Sequence, residues 1–475
     1  MHIGEYMNCD INMDKIRHIH FVGIGGAGMG GIAEVMINQG YQVSGSDLSE
    51  NSVTTHLQQL GVRIIQGHHK ENVDGVHLVV LSSAIPHNNP ELVAARELNL
   101  PVIPRAKMLA LLMQTKYGIA ISGTHGKTTT TSLVASILAQ ADLHPTFVIG
   151  GLLKSVNTNA QLGTGEYFVA EADESDASFL YLKPKIAIIT NIDEDHLNTY
   201  NGDMHELRQS FLKFIADVPH DGLAVLCADD PIANSLKGEV NVPVITYGFN
   251  SDADIQITSF KQCGLQSHFS VEFKKTGKQS TFILNLAGKH NALNALAGIG
   301  VAMHLGVPEA IIAKALNEFM GIGRRFQMYG ECCFSSGKFL LIDDYGHHPR
   351  EIAATLDAIR LVWPKRRLVM AYQPHRYTRT QALLKDFALV LSTSDVLLLL
   401  DVYAAGEDPI AGADGKSLCQ AICSLGKLSP VFVSQVDQLP LAARDVLQDG
   451  DILLLQGAGS IGSMAAKMVA LQNFS

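Results

Sequence analysis

At 475 residues, with 47% hydrophobic and 17% charged positions, the chain is long enough for about three domains and too apolar for wholesale disorder. A formal charge of −10 excludes a general nucleic-acid binder, which needs a basic face, but leaves room for small anionic substrates held by local cations. Cys9, Cys227, Cys263, Cys332, Cys333, Cys419 and Cys423 form no CxxC pair, the polar start has no leader pattern, and no apolar run nears 18 residues; a cytoplasmic protein without membrane or nucleic-acid partners is expected.

In chain order, the first predicted unit is HIHFVGIGGAGMGG at 18–31, a strand, a glycine turn and a helix start. It contains Gly23-x-Gly25-x-x-Gly28, and Asp47 closes the next predicted strand. Glycines let backbone approach a pyrophosphate, and an acid in that place can hold a ribose. NAD satisfies the pattern, UDP satisfies it equally, and tight helix–strand packing alone can produce it.

The second unit is YGIAISGTHGKTTTTSL at 117–133. Gly123-Thr124-His125-Gly126-Lys127-Thr128-Thr129 joins a strand to a helix, the context in which backbone N–H groups cradle phosphates. Lys127 would reach the β- and γ-phosphates, and the Thr128 hydroxyl would sit on Mg²⁺. The full phosphate-loop pattern needs a glycine where Ile121 stands. Beyond the next apolar runs, FVAEADES places Glu171 and Asp173, and AIITNIDEDHL places Asp193, Asp195 and His196. Acids at strand ends can hold a metal that bridges phosphates, with His196 as a second ligand or phosphate contact, while any one of them alone also suits a cap or a solvated loop. Around 250–286 the apolar pattern changes to period two, predicting an antiparallel insert.

In the last third, Asp343-Asp344-Tyr345-Gly346-His347-His348-Pro349 and Gln373-Pro374-His375-Arg376-Tyr377-Thr378-Arg379 each follow an apolar strand. The second cluster concentrates positive charge and suits a carboxylate or phosphate. Gly457-x-Gly459-x-x-Gly462 repeats the first fingerprint, but Ser475 ends the chain before another strand, so packing or loop geometry is expected. The alternation of β-rich and helix-like runs predicts α/β architecture with mostly parallel sheets. Domains are expected over 1–112, 113–322 and 323–475.

These motifs, in this order and over nearly the whole chain, resemble the Mur ligase family. The resemblance implies three domains: Rossmann-like at the N-terminus, P-loop ATPase-like with a small antiparallel insert in the centre, and Rossmann-like at the C-terminus. GTHGKTT resembles the family's shortened phosphate loop, which accounts for Ile121. Glu171 and His196 then join Thr128 as metal ligands. By the same resemblance Asn291 and Asn294 of GKHNALN face adenine, Arg325 of GRRF enters the ATP site, and Asp344 holds the ATP ribose. VGIGGAGMGG, LSSAIP, DDYGHHP and QPHRYTR resemble the family's alanine-adding branch. This implies a UDP-sugar on Gly23, Gly25, Gly26, Gly28, Asp47 and Ser82, and an amino acid on Tyr345, His347, Arg376 and Arg379. A sister ligase that recycles a tripeptide shares the layout but departs in the first glycine loop and in QPHRYTR.

The implied reaction consumes ATP with Mg²⁺ and joins L-alanine to the lactyl carboxylate of UDP-N-acetylmuramate through an acyl phosphate. Lys127, His196 and Arg325 would manage charge on the transferring phosphoryl group. A monomer or weak homodimer is expected. An NAD-dependent oxidoreductase would account for the first glycine loop but leaves Gly-Lys-Thr-Thr without a purpose. Several family members carry a carbamylated lysine after the metal-binding histidine. Here the segment after His196 offers only Lys213, off the apolar face of its predicted helix, so catalysis without a carbamate is expected.

Overall fold

Three sheets organise the computed structural model, which describes residues 11–334 and 337–471. Cys9, the start before Ile11, and Ser475 lie outside the described residues. The first sheet contains β1 (His18–Val22), β2 (Gln42–Asp47), β3 (Arg63–Gln66), β4 (Leu78–Leu81) and β5 (Val102–Pro104). Their order is β3-β2-β1-β4-β5, with every neighbouring pair parallel. Strand order therefore reverses beside β1, and the loops after β1 and β4 flank the crevice where such folds hold ligands.

The central sheet has ten strands: β6 (Tyr117–Ser122), β7 (Thr146–Leu153), β8 (Thr158–Gln161), β9 (Tyr167–Glu171), β10 (Ile186–Ile189), β11 (Leu223–Cys227), β12 (Val244–Gly248), β13 (Ile255–Cys263), β14 (Gln266–Phe273) and β15 (Lys278–Leu284). The order is β15-β14-β13-β12-β11-β10-β6-β9-β7-β8. β6 runs parallel to both neighbours, β9 and β10. Only Gly264 and Leu265 separate β13 from its neighbour β14, a connection that antiparallel strands alone can make. Alternate residues of β14 are buried, the period-two pattern expected of this insert. A second antiparallel pair, β7 with β8, occupies the opposite edge and was not anticipated.

The third sheet contains β16 (Gln327–Phe334), β17 (Gly337–Asp344), β18 (Leu368–Tyr372), β19 (Val396–Leu400), β20 (Val431–Val433) and β21 (Asp451–Gln456), in the order β16-β17-β21-β18-β19-β20. β16 is an antiparallel edge and the other five strands are parallel. Leu341 and Leu453 join one apolar cluster while Ile342 and Leu454 join another, so successive residues cover opposite faces. Burial on both faces explains why these strands read as continuous apolar runs.

The described residues form two compact units. The first runs to Thr258 and adds Ser270–Phe282 and Leu293–Phe319; the second takes Ser259–Phe269, Ile283–Ala292 and the chain from Met320. In the first unit one apolar cluster includes Phe21 and Ile32 of the N-terminal region together with Phe168 and Phe211 of the central one. Burying each such side chain contributes about 1.5–3 kcal/mol. Polar contacts fix the same junction: Asn159 Nδ2 donates to the Ala27 carbonyl at 2.8 Å, and the Thr158 hydroxyl to Glu34 at 3.3 Å. Among the described residues, no helix is long and apolar enough to cross a membrane.

Candidate active site

β6 ends at Ser122 and passes through Gly123–Gly126 into the helix Lys127–Gln140. Gly123 has φ +126°, and a Cβ there would fall 2.2 Å from the Thr190 hydroxyl; Gly126 caps the helix at φ +85°. Both positions demand glycine. Asn191 clamps the loop, accepting from the His125 N–H at 2.8 Å and donating to its carbonyl at 2.9 Å. The Asp193 N–H donates to the Thr124 hydroxyl at 2.9 Å, and the buried Asp193 carboxylate lies 3.2 Å from His125 Nε2. Sequence reasoning passed over Asn191, although it stands within AIITNIDEDHL.

Register places Glu171 beside Ile121 and Ile189 beside Ser122, so the ends of β9 and β10 flank the loop. Glu171 accepts from the Gly150 N–H at 2.7 Å. Thr128 and Thr129 are buried in the first helical turn, where N–H groups and the helix dipole favour phosphate. His196 adopts a left-handed φ of +57° and donates its N–H to Asp195 at 2.9 Å. The Thr128 hydroxyl and Glu171 carboxylate are hard oxygen donors of the kind Mg²⁺ takes, with the His196 imidazole as a further candidate. Asn294 lies over the loop: Thr130 donates to its Oδ1 at 3.3 Å, and a Cβ at 126 would come within 2.5 Å of that atom.

Lys127 meets a residue that sequence reasoning missed. Its Nζ donates to both carboxylate oxygens of Glu174, at 2.9 and 2.8 Å, and to the Gly123 carbonyl at 2.6 Å. Burial raises the Glu174 carboxyl above the ordinary range, against the pull of Lys127. Burial would lower the Lys127 ammonium, but Glu174, Asp173 and Glu171 outweigh it and hold it above its usual value. Asp173 faces Arg105 at 3.7 Å; Lys127 and Arg105 overcome the opposing effect of burial and keep its carboxyl low.

The first glycine loop lies in the same unit. The Gly25 N–H donates to Asp47 Oδ2 at 2.8 Å, and Asn51 Nδ2 to the Gly25 carbonyl at 3.2 Å. Gly26 is the N-cap of the helix Ala27–Asn38, and Gly23 has φ +80°. Ser82 follows β4, donating its N–H to the Val22 carbonyl at 3.2 Å and packing on Gly23. Gly28 faces the Arg105 guanidinium, so Arg105 stands between this loop and Asp173. Nothing near Arg105 in the sequence marks it, because both contacts are distant in the chain.

In the second unit, the ends of β17, β18 and β21 gather the remaining candidates. Arg325 stacks over Tyr345 at 5.0 Å and lies 3.9 Å from Glu351. Tyr345, His347, His375 and Tyr403 form a chain of rings with successive centroids 5.6, 5.7 and 5.6 Å apart. Arg379 is buried and donates to the His375 carbonyl at 3.3 Å; Arg376, at φ +72°, is half-exposed beside Glu407. Tyr403, Glu351 and Glu407 were not anticipated. Glu351 is signalled locally, since it completes a capping box with His348. Asp344 accepts from the Phe326 N–H and the Gly346 N–H, each at 2.8 Å, and from Gln456 Nε2 at 3.0 Å, so it also braces this loop. Asn291 is buried and donates to the Ala287 carbonyl at 2.8 Å. The last glycine motif packs tightly: a Cβ at Gly462 would lie 2.1 Å from the Arg324 guanidinium carbon.

Three family models match in order: "Mur ligase family, catalytic domain" over residues 18–117, "Mur ligase middle domain" over 121–302, and "Mur ligase, glutamate ligase domain" over 324–459. Among solved structures, a UDP-N-acetylmuramate–alanine ligase from Thermotoga maritima is 30% identical with a TM-score of 0.83, covering 97% of this chain and 99% of that one. A murein peptide ligase from Psychrobacter arcticus 273-4 is 25% identical with a TM-score of 0.72, over 96% and 98%. A UDP-N-acetylmuramate:L-alanyl-γ-D-glutamyl-meso-diaminopimelate ligase from Neisseria meningitides is 28% identical with a TM-score of 0.60, over 65% and 100%.

Proposed function

Because the chain belongs to the Mur ligase family, we propose that it is an ATP-dependent ligase joining L-alanine to the lactyl carboxylate of UDP-N-acetylmuramate, in the cytoplasm, for peptidoglycan synthesis. The observation that carries the ligase chemistry is the pairing of two phosphate-type loops in one unit, with Arg105 against Gly28 and 3.7 Å from Asp173. Likeness to the Thermotoga enzyme over nearly the full length of both chains supports alanine as the amino acid.

In this reading residues 1–112 hold the UDP-sugar, 113–322 hold ATP, and 323–475 hold the amino acid. A lactyl oxygen attacks the γ-phosphorus, the β–γ bridging bond breaks, and ADP leaves an acyl phosphate. The alanine amine then attacks the acyl carbon, loses a proton and expels phosphate. No side-chain nucleophile is required, so catalysis is positioning and charge control. Lys127 and the N–H groups from Gly123 to Thr129 bind the phosphates, and Asn291, Asn294 and Asp344 orient the nucleoside. His196 and Arg325 add to the set that offsets phosphoryl charge. Thr128 and Glu171, with His196, would hold Mg²⁺, which would supply neutralisation of phosphate charge. Arg379, with Tyr345, His347 and Arg376, grips the amino acid.

The two peptide-ligase likenesses favour a second reading, in which the incoming group is a tripeptide. Phosphate release from ATP with UDP-N-acetylmuramate, measured against alanine, glycine, serine and L-alanyl-γ-D-glutamyl-meso-diaminopimelate, separates them. Alanine should give the highest kcat/KM. Turnover with the tripeptide alone establishes the second reading, and phosphate release needing no UDP-sugar rejects both.

A further inference from the structure

The carboxylates of EADES divide among three partners. Glu171 accepts from the Gly150 N–H, Asp173 faces Arg105, and Glu174 takes Lys127. Glu174 is 1% exposed, and its carbonyl accepts both the Tyr200 hydroxyl and the Ala177 N–H. Tyr200 is itself buried, and Ala177 turns the chain back at a left-handed φ of +57°. The backbone beneath Glu174 is therefore fixed from two directions. An ammonium has three N–H donors. Here one goes to the Gly123 carbonyl, with the Thr124 carbonyl 3.3 Å away, and two go to Glu174.

A phosphate arriving at this helix start must take at least one of those donors. It also brings negative charge beside a buried carboxylate, and like charges in a poorly solvated place repel strongly. We propose that Glu174 is a positioning residue that competes with the nucleotide phosphates for Lys127, holding the ammonium in the loop and setting nucleotide affinity against turnover. This rests on the ATP-ligase reading above. Two consequences follow, with opposite signs. Removing the charge on Glu174 favours the bound polyanion, so nucleotide affinity rises. The same change leaves Lys127 held by fewer directed bonds, so its alignment with the transferring phosphoryl group degrades. A purely structural residue would lose both properties together.

Glu174→Gln keeps the size of the side chain and one acceptor oxygen. Titration calorimetry with ADP and Mg²⁺ should show affinity increased about 3- to 10-fold, the scale of one net hydrogen bond. The kcat for phosphate release at saturating substrates should fall about 10²-fold, as misalignment near 1 Å does. UDP-N-acetylmuramate affinity should not move. Weaker or unchanged ADP binding by the folded variant would overturn the proposal. Should the glutamine variant not fold, Glu174→Asp retains the charge but shortens the reach; it should tighten ADP by a smaller factor, and weaker ADP binding there is equally fatal. ADP binding requires no acceptor substrate. Wild-type protein that binds ADP yet shows no UDP-sugar- and amino-acid-dependent phosphate release removes the ligase reading, while the comparison of ADP affinities still decides the role of Glu174.

Discussion

The Gly25 N–H donates to Asp47 Oδ2 at 2.8 Å, so the acid that closes β2 also holds the glycine loop after β1. A Cβ at position 25 would sit 2.8 Å from that oxygen and 2.7 Å from Asn51 Nδ2. Gly25→Val therefore displaces Asp47 and blocks backbone approach to a diphosphate. UDP-N-acetylmuramate affinity should fall at least about 10-fold, the scale of one lost charge-assisted hydrogen bond. ADP affinity should stay within experimental error, because the second loop hangs on Thr190 and Asn191 instead. Calorimetry with the two ligands checks both halves, and an unchanged UDP-sugar affinity would show that this loop reads something else.

Arg376 and Arg379 look alike in the sequence, but the structure separates them. Arg379 is 8% exposed and directed by the His375 carbonyl, whereas the Arg376 side chain is 47% exposed and 3.9 Å from Glu407. A buried guanidinium gives a carboxylate two parallel bonds that lysine cannot copy. Arg379→Lys should lower kcat/KM for alanine about 10²-fold, the effect of losing roughly 3 kcal/mol of charge-assisted bonding. Arg376→Lys should cost less than about 10-fold, since exposed pairs contribute about 1 kcal/mol or less. Equal losses from steady-state kinetics on both variants would contradict this ranking.

What was legible in the sequence depended on distance along the chain. Gly123, Gly126 and Lys127 announce a phosphate loop because the strand, turn and helix are adjacent, and β14 announces its hairpin through period-two burial. Glu174 was overlooked because an acidic run does not say which member faces inward. That choice is made by the turn at Ala177 and by Tyr200, which lies 26 residues away. Arg105 meets Asp173 across 68 positions of sequence and begins a helix that carries no motif. The β7–β8 pair escaped notice because TFVIGGLL is a continuous apolar run, which does not distinguish a buried parallel strand from half of a hairpin.

Glu91 provides a test of stability apart from catalysis. It is fully buried, accepts from the Ser46 hydroxyl at 2.7 Å and from the Asn72 amide, and lies 2.9 Å from His68 Nδ1 and 3.5 Å from His20 Nε2. Burial alone would raise its carboxyl, but His20, Ser46 and Asn72 outweigh burial and hold it at about 2, below the ordinary 4.5. A carboxyl depressed on folding stabilises the native state above its unfolded value and loses that contribution as pH falls through its folded value. The window is therefore from about pH 4.5 down to about 2. The contribution at neutral pH is on the order of 3 kcal/mol. Glu91→Gln should be less stable at pH 7, and its urea-unfolding free energy should decline less across that window than the wild-type value. Parallel curves would mean that Glu91 is not the titrating group.

Lys213 decides whether the reaction can depend on a lysine carbamate. It lies on the helix Met204–Ala216, whose buried residues are Leu207, Phe211, Phe214 and Ile215, and its own side chain is exposed. Forming a carbamate requires a neutral amine, and keeping it requires shelter from water and a cation beside it. The outer face of this helix offers no such shelter. Asp203 caps the helix by accepting the His205 N–H at 2.7 Å, which fixes the helix start independently of Lys213. Lys213→Ala should therefore retain kcat and KM within about 2-fold and cost no more than about 0.5 kcal/mol of stability, as exposed substitutions do. Rates measured with and without bicarbonate should coincide for both proteins. An inactive alanine variant restored by acetate or another short carboxylate would make Lys213 a metal-bridging residue, and the helix face seen here would then have to turn inward during catalysis.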